Sequence, residues 1–336
     1  MNTLSSQILP LGNWQQELAR GIRSTGELLG VLDISPGELS GIEDINTDFP
    51  LRVPHSYAAR MIKGDPNDPL LRQVLPLKTE HQDTTGFTHD PVGDLASMTT
   101  SGLIRKYQGR VLLIATGACA IHCRYCFRRH FPYSEAHPNT NEWQHAIDYI
   151  ANDASITEVI LSGGDPLTLS DQRLTSLTNR LADITHLKRL RIHTRLPVVL
   201  PERVDNGLIA WLNTITFKTV IVIHANHPNE INNDVNNALI KLSDTGITLF
   251  NQTVLLRGIN NDSATLVKLS EVLFEANVIP YYLHMLDKVL GASHFEVDDS
   301  EARRIHKELL SSLPGYLVPR LVREKAGNPF KLPLSL

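Results

Sequence analysis

All three cysteines of this 336-residue chain fall between Cys119 and Cys126, spaced C-x3-C-x2-C, with Tyr125 directly before the last. The surrounding run, RVLLIATGACAIHCRYCFRRHF from Arg110 to Phe131, reads as a buried β-strand over Arg110–Thr116 that empties into the cysteine loop. Two short spacings let one loop wrap its thiolates around a single metal centre, and three ligands leave a four-coordinate centre one position short. Chance clustering of structural cysteines is a poor account of a full complement gathered in one loop. A zinc site completed by His122 or His130 is a second reading, although zinc motifs usually come as paired C-x2-C units. The third is a [4Fe–4S] cluster held by three cysteines, its fourth iron left for a substrate or cofactor. None of these is a disulfide framework, and thiols kept reduced for iron point to a reducing cytoplasm.

The bulk numbers exclude more than they assign. Hydrophobic residues make up 42% and charged residues 20%, ordinary values for a soluble globular chain long enough for one large domain or two smaller ones. A net charge of −4 gives no global attraction for nucleic acid or an anionic membrane. The start, MNTLSSQILPLGNW, lacks the basic and apolar regions of a signal peptide, and no later run approaches a membrane span.

Residues 1 to about 100 read as a helical and irregular extension. Trp14 to Leu32 carries apolar residues at helical spacing, interrupted by Gly21 and Gly26, and SPGEL from Ser35 looks like a further helix start. Pro54 to Ile62 reads as another short helix, whereas Asp65–Pro76 and His81–Asp94 read as surface loop. From Arg110 the texture alternates. Strand-like runs appear at Val111–Thr116, Glu158–Leu161, Leu190–Thr194, Thr219–His224, Thr248–Leu256 and Val278–Met285. Helical patterns lie between and after them, at Asn141–Asp153, Asp171–Ile184, Glu202–Leu212, Glu230–Leu242, Ser263–Ala276 and Asp298–Leu310. A seventh short strand follows at Leu317–Arg323. The predicted fold is α/β, an open (β/α)6 version of the eight-stranded barrel with parallel strands and right-handed crossovers. The expected divisions are an extension over 1–100, the partial barrel over 101–313 and a short C-terminal segment over 314–336.

In such a fold the chemistry collects at the C-terminal ends of the strands. Here those ends carry the cysteine loop, Ser162-Gly163-Gly164-Asp165-Pro166, His193-Thr194-Arg195, His224-Ala225-Asn226 and the pair Asn251-Gln252. Paired glycines after a strand let a ligand lie against the backbone, although an isolated pair is more often a tight turn. The cysteine loop, with its aromatic residue before the last cysteine, resembles the hallmark of the radical S-adenosylmethionine superfamily. SGGDPL, TRLPVVLPERV, HANHPNE, NQTVLLRGIN, PYYLHMLDK and the earlier DPNDPLLRQVLP all resemble the lysine 2,3-aminomutase family, in that family's order.

The resemblance implies three cofactors: a [4Fe–4S] cluster on Cys119, Cys123 and Cys126, S-adenosyl-L-methionine, and pyridoxal 5′-phosphate. It places S-adenosylmethionine against Gly163, Gly164 and Asp165, where Asp stands for the family's usual Glu, with Arg195, His224, Asn226 and Gln252 nearby. It assigns the pyridoxal lysine to Lys331, in Gly327-Asn328-Pro329-Phe330-Lys331, where only the first glycine of the family's glycine-rich run survives. Lys325 lies off the pattern. Lys106, Tyr107 and Arg110 correspond to residues around the pyridoxal ring and phosphate. Arg128 matches the residue that binds a substrate carboxylate, with Arg129 its neighbour, while Asp287 and Glu324 match the pair that receives a side-chain ammonium. Glu324 stands where the family has Asp.

The implied reaction is isomerisation of L-lysine to (R)-β-lysine, driven by a reducing electron donor. Short bacterial members of the family pass that product to a lysyl-ligase acting on translation elongation factor P. This chain, with no further cysteines after the loop, resembles them more than the longer catabolic members. Two acidic side chains in the pocket select a cation and disfavour an acidic amino acid. A catabolic role, another basic amino acid or a non-catalytic metal-binding barrel are the alternatives.

Overall fold

The computed structural model of the protein describes residues 14–39, 41–42, 49–133 and 142–335. The start of the chain and the first residue of the expected Asn141–Asp153 helix lie outside them.

Ten strands form a single sheet in sequential order: β1 (Met98–Thr100), β2 (Leu103–Tyr107), β3 (Arg110–Thr116), β4 (Glu158–Gly163), β5 (Arg189–Thr194), β6 (Lys218–His224), β7 (Thr248–Val254), β8 (Val278–His284), β9 (Arg320–Arg323) and β10 (Leu332–Pro333). Neighbours from β3 to β9 pair in parallel, and antiparallel pairs close each edge, β1–β2–β3 on one side and β9–β10 on the other. The sheet curls until its edges nearly meet, for Lys106 on β2 lies 3.1 Å from Glu324, just past β9. The architecture is mixed α/β with a largely parallel sheet. All seven strands and all six helices expected from the alternating pattern are present within a few residues of their expected bounds.

Five of the helices that follow the strands start where the sequence supplies a cap. Ser170, Asp205, Asn232, Asp262 and Asp298 turn their side-chain oxygens onto first-turn amides of Asp171–Ala182, Asn206–Thr214, Asn233–Ser243, Ser263–Glu275 and Asp299–Ser312. Such caps are worth about 1 kcal/mol each. The inward stripes of these helices, for example Leu174, Leu177 and Leu181, bury against the sheet. One continuous apolar core runs from Trp14 in the extension through the strands to Leu321.

The extension departs from expectation in three ways. SPGEL forms a single 3-10 turn, Pro36–Glu38, instead of a helix. Strands β1 and β2 fall where the sequence shows only a short polar and basic run. The first of the two expected surface loops is partly interior, with Leu70, Leu71, Gln73 and Val74 buried, whereas His81–Asp94 is largely exposed as expected, apart from Phe87, Val92 and Asp94. Pro and Asp do break regular structure here, but the loop satisfies its own amides and so can be covered. The Asp68 carboxylate accepts from the amides of Ile62, Leu70 and Leu71 at 3.0, 2.8 and 2.8 Å. Further on, Thr88 joins the loop after β8 by two backbone hydrogen bonds, to Lys288 and Leu290. The extension is therefore a cover for the strand ends.

Candidate active site

A cavity of about 500 Å3 opens at the C-terminal ends of the strands, and every residue assigned to a cofactor or substrate from the sequence lines it. One wall is the cysteine loop, held from outside by the extension. The Arg124 amide donates to the Gln73 carbonyl at 2.9 Å and the His122 amide to the Arg52 carbonyl at 3.0 Å. The fully buried Arg124 guanidinium grips Glu80, donates to the Phe49 carbonyl at 2.8 Å, and shares Glu80 with Arg129 at 2.6 Å. Arg129, the weaker carboxylate candidate, is thus turned to the loop's outer side. One ring nitrogen of His122 faces the Pro50 carbonyl at 2.7 Å and one of His130 the Leu290 carbonyl at 3.1 Å, so both histidines weighed as zinc ligands are engaged with backbone.

Gly163 and Gly164 are dictated by the same wall. A side chain on Gly164 would sit 2.4 Å from the Ala118 carbonyl oxygen, and one on Gly163 would sit 2.6 Å from Ile114. The Gly164 amide donates to Thr116 at 2.7 Å and the Gly163 carbonyl accepts from the Tyr133 hydroxyl at 2.7 Å. The close approach that demands glycine is therefore between β4 and the cysteine loop. Asp165 next to them is saturated: one oxygen accepts from the Thr194 hydroxyl at 2.7 Å and the Leu167 amide at 3.1 Å, the other from the amides of Arg195 and Leu196 at 2.7 and 3.0 Å. Burial raises its pKa in spite of those donors. It ties the end of β4 to the end of β5.

Arg195 is the hub of this side. Its guanidinium lies 2.7 Å from the Cys123 sulfur and donates to Glu230 and Gln73, both at 2.8 Å. Asn226 donates to the Tyr125 hydroxyl's oxygen at 2.7 Å and to Gln73 at 3.0 Å, while its carbonyl oxygen accepts from the Val254 amide at 2.8 Å. Gln73 and Tyr57 were not singled out in the sequence, because they sit in segments that read as loop and short helix; Glu230 closes the strand-end run HANHPNE. Asn251 is likewise internal, bonded to the Ala225 backbone at 2.8 and 3.0 Å. Gln252 instead faces the cavity, and its side-chain nitrogen has no partner. The Nε2 atoms of His193, His224 and His284 are orphaned in the same way. Burial lowers all three histidines, His224 to about 4, so they stand neutral.

A chain of alternating charge runs from the cysteine wall to the opposite one. Arg128 Nε lies 2.6 Å from Asp94, Asp94 lies 2.5 Å from Lys106, Lys106 lies 3.1 Å from Glu324, and Glu324 pairs with Lys331. Burial works against the Asp94 charge, yet Arg128 and Lys106 outweigh it and hold the carboxyl below its ordinary range. Burial likewise opposes the Glu324 charge, and Lys331 with Lys106 brings it down to about 2. Asp287 is different. Among the described residues its carboxyl has no hydrogen-bonded or ion-paired partner, and burial together with Glu324 lifts it to about 7. Tyr107 stacks under Arg110 at 4.6 Å, and Arg191, Arg320, Tyr281 and Tyr282 also line the cavity, Arg191 donating through Nε to Glu158 at 2.8 Å. Lys325 is exposed and lies outside the cavity.

Fold and cysteine loop together define a class: residues 113–269 match the radical SAM superfamily model. A solved structure of Streptococcus suis SuiB bound to S-adenosylmethionine shares the fold over 69% of this chain and 53% of its own, at TM-score 0.50 and 13% identity. The curated relatives are more specific. The chain is 48% identical to the L-lysine 2,3-aminomutase of Escherichia coli over 96% of its own length and 95% of the relative's. It is 33% identical to that of Clostridium subterminale over 96% and 77%. The chain belongs to the L-lysine 2,3-aminomutase family of radical SAM isomerases. Membership brings a [4Fe–4S] cluster, S-adenosylmethionine and pyridoxal 5′-phosphate as cofactors.

The residues present fit all three. Among the described residues no three Cys, His, Asp or Glu side chains converge on one ion, whereas a cluster takes each thiolate on a separate iron. Burial and neighbouring thiols raise Cys119 strongly and Cys126 to about 11, so metal charge is what must deprotonate them. The orphaned donors of Gln252 and His224 are buried polar atoms that a polar ligand would satisfy. Beside Lys331, arginines and tyrosines offer a phosphate its cations and a ring its flat surfaces.

Proposed function

We propose that the cavity isomerises L-lysine to (R)-β-lysine, with Cys119, Cys123 and Cys126 holding the cluster, Lys331 the pyridoxal, Arg128 the substrate carboxylate, and Asp287 with Glu324 its side-chain ammonium. The observation that carries this reading is the separation of charge within one cavity. A buried guanidinium stands near the cysteine wall, and two carboxyls, one of them without a partner, stand near Lys331. A molecule with a carboxylate at one end and an ammonium at the other is complementary to that arrangement. When bound, cluster and S-adenosylmethionine supply hydrogen abstraction, and pyridoxal supplies a carrier for the migrating amino group.

The protein's own work is placement. Arg128, fixed at Nε, keeps its outer nitrogens for a carboxylate, and one of them already donates to the Ser162 hydroxyl at 3.2 Å. Asp287, lifted to about 7 by burial and Glu324, ionises when an ammonium arrives. The extension closes over the strand ends and keeps water from the reacting atoms, as its seams at Thr88 and Gln73 require. Asp165 and the two glycines support this site by fixing strand ends beside the cysteine loop, whose position sets the cluster against the substrate.

The curved sheet is read as the partial (β/α)6 barrel, with the extension and C-terminal segment as its cover and its lysine-bearing arm. The 48% identity to the Escherichia coli relative, against 33% to the Clostridium one, supports the role of the short enzymes: a cytoplasmic supply of (R)-β-lysine for a lysyl-ligase acting on elongation factor P. The experiment is anaerobic turnover of L-lysine after reconstitution, with β-lysine and its handedness read by chiral mass spectrometry. It is paired with the mass of elongation factor P from cells with and without the gene. No β-lysine from fully loaded protein overturns the reaction, and an unchanged factor mass overturns the role.

A further inference from the structure

We infer that Asp94 is the positioning residue of the substrate site: it holds Arg128 by the Nε edge and Lys106 by the ammonium, and so fixes the distance between the carboxylate end and the ammonium end of the pocket. The inference deepens the lysine reading above and rests on it.

Asp94 belongs to no strand of the sheet. It stands at the end of a turn in the extension, built by Asp90, whose carboxylate accepts from the amides of Asp94 and Leu95 at 2.8 and 2.9 Å. Gly93 within that turn has φ +69°, and a side chain there would lie 3.1 Å from the Ala326 side chain, on the segment that leads to Lys331. The turn is thus wedged between the cysteine wall and the lysine arm. Its carboxylate is 2% exposed, so the charge is retained only because both oxygens meet cations, Arg128 at 2.6 Å and Lys106 at 2.5 Å.

The geometry on Arg128 is selective. A guanidinium gripped at Nε and steadied at one outer nitrogen by Ser162 turns its remaining donors inward, the edge a carboxylate takes bidentately. On the other side, Lys106 divides its charge between Asp94 and Glu324. That leaves Glu324 reaching Lys331 at one end of the chain while Arg128 is pinned at the other. Asp94 touches neither end of a bound lysine in this arrangement. It sets where both receivers stand.

The test is steady-state kinetics of the reconstituted holoenzyme, with iron and pyridoxal contents measured on every variant. Asp94→Asn keeps the shape and removes the charge. It should raise the KM for L-lysine by about 10- to 100-fold while leaving the KM for S-adenosylmethionine in place. Asp94→Asn with Lys106→Met restores the charge balance without restoring the grip, so the lysine KM should stay raised. In an Arg128→Lys background, where there is no guanidinium edge to orient, adding Asp94→Asn should produce a smaller rise than in the wild type, since only the Lys106–Glu324 end is left to disturb. A lysine KM equal to wild type in Asp94→Asn, or its recovery in the charge-balanced double variant, overturns the inference. So does a rise in the Arg128→Lys background as large as that in the wild type, or loss of iron and pyridoxal from both Asp94 variants. Wild-type protein that loads fully but ignores lysine would sink the reading beneath it, a different result from wild-type turnover that Asp94 does not affect.

Discussion

The two walls of the cavity are both dense with charge, but only one is closed. Around Arg195, guanidinium, Glu230, Gln73, Asn226 and the Asp165 carboxylate satisfy one another, and only Arg195 Nε lacks a partner in that group. Around Lys331, the alternating chain ends in groups that can change partners. Among the described residues the Lys331 ammonium pairs with Glu324 alone, and the Asp287 carboxyl has no direct partner. A closed network rigidifies, since breaking any link strands a buried polar group. An open one is ready to exchange an internal ion pair for a ligand's charge. The cysteine side is built for position and the lysine side for turnover.

The comparison breaks most sharply at Lys331. Lys331→Ala should retain no pyridoxal absorbance after gel filtration and form no β-lysine above background, with iron content and melting temperature close to wild type. If it unfolds, the lysine wall is structural after all. The closed wall should respond in the opposite way. Arg195→Met leaves Glu230 fully buried without its cation, which costs about 3–5 kcal/mol. Denaturant unfolding should show that loss together with a low iron content. A smaller effect of the same kind is expected for Gly164→Ala, where the added carbon meets the Ala118 carbonyl at 2.4 Å. A loss of about 1–3 kcal/mol and poorer iron retention would place the glycine's role in the cysteine loop.

The subtlest test concerns Asp287. Its folded pKa of about 7 lies above the unfolded value of about 3.9, so the folded state carries the extra proton between those limits. Stability of the empty protein should therefore fall as pH rises across that window, and Asp287→Asn should flatten the slope. Binding of a cationic ligand should release a proton near pH 7, seen as a buffer-dependent calorimetric enthalpy. Glu324, held at about 2 against an ordinary value near 4.3, contributes stability that is present above its unfolded pKa and lost as pH falls toward 2. No proton release near neutrality would mean that Asp287 does not receive the ammonium.

Much of this was legible beforehand. The alternation of apolar runs and capped helical stripes needs only neighbouring residues, and the strands and helices follow it closely. The cysteine loop and the strand-end clusters are also local, and topology alone carries them to one face of a parallel sheet. In the extension the helices within Trp14–Leu32 and Pro54–Ile62 were legible, but not the way its segments pack on the strand ends. Asp94, Gln73, Glu80 and Tyr57 sit in segments whose Pro, Asp and polar residues give no period, and nothing local distinguishes a solvated Asp from one clasped by two distant cations. One usable signal was the apolar content of Leu70, Leu71, Val74 and Leu75, too high for a loop left in water.

By itself, the sequence determined which chemistry the chain can hold, because metal-ligand spacing and strand-end residues are short-range properties of the chain. It also determined the parallel architecture, through the two periods of hydrophobicity. Tertiary structure alone decided the division of labour among the charges. Whether Asp165 serves a ligand or its own strand ends, and whether Gly164 faces a cofactor or the Ala118 carbonyl, depends on distances between segments far apart in the chain. The same holds for whether Glu324 or Asp287 is left free. A carboxylate's state follows from who stands within a few ångströms and how much water is left, and neither is written in its neighbours along the chain.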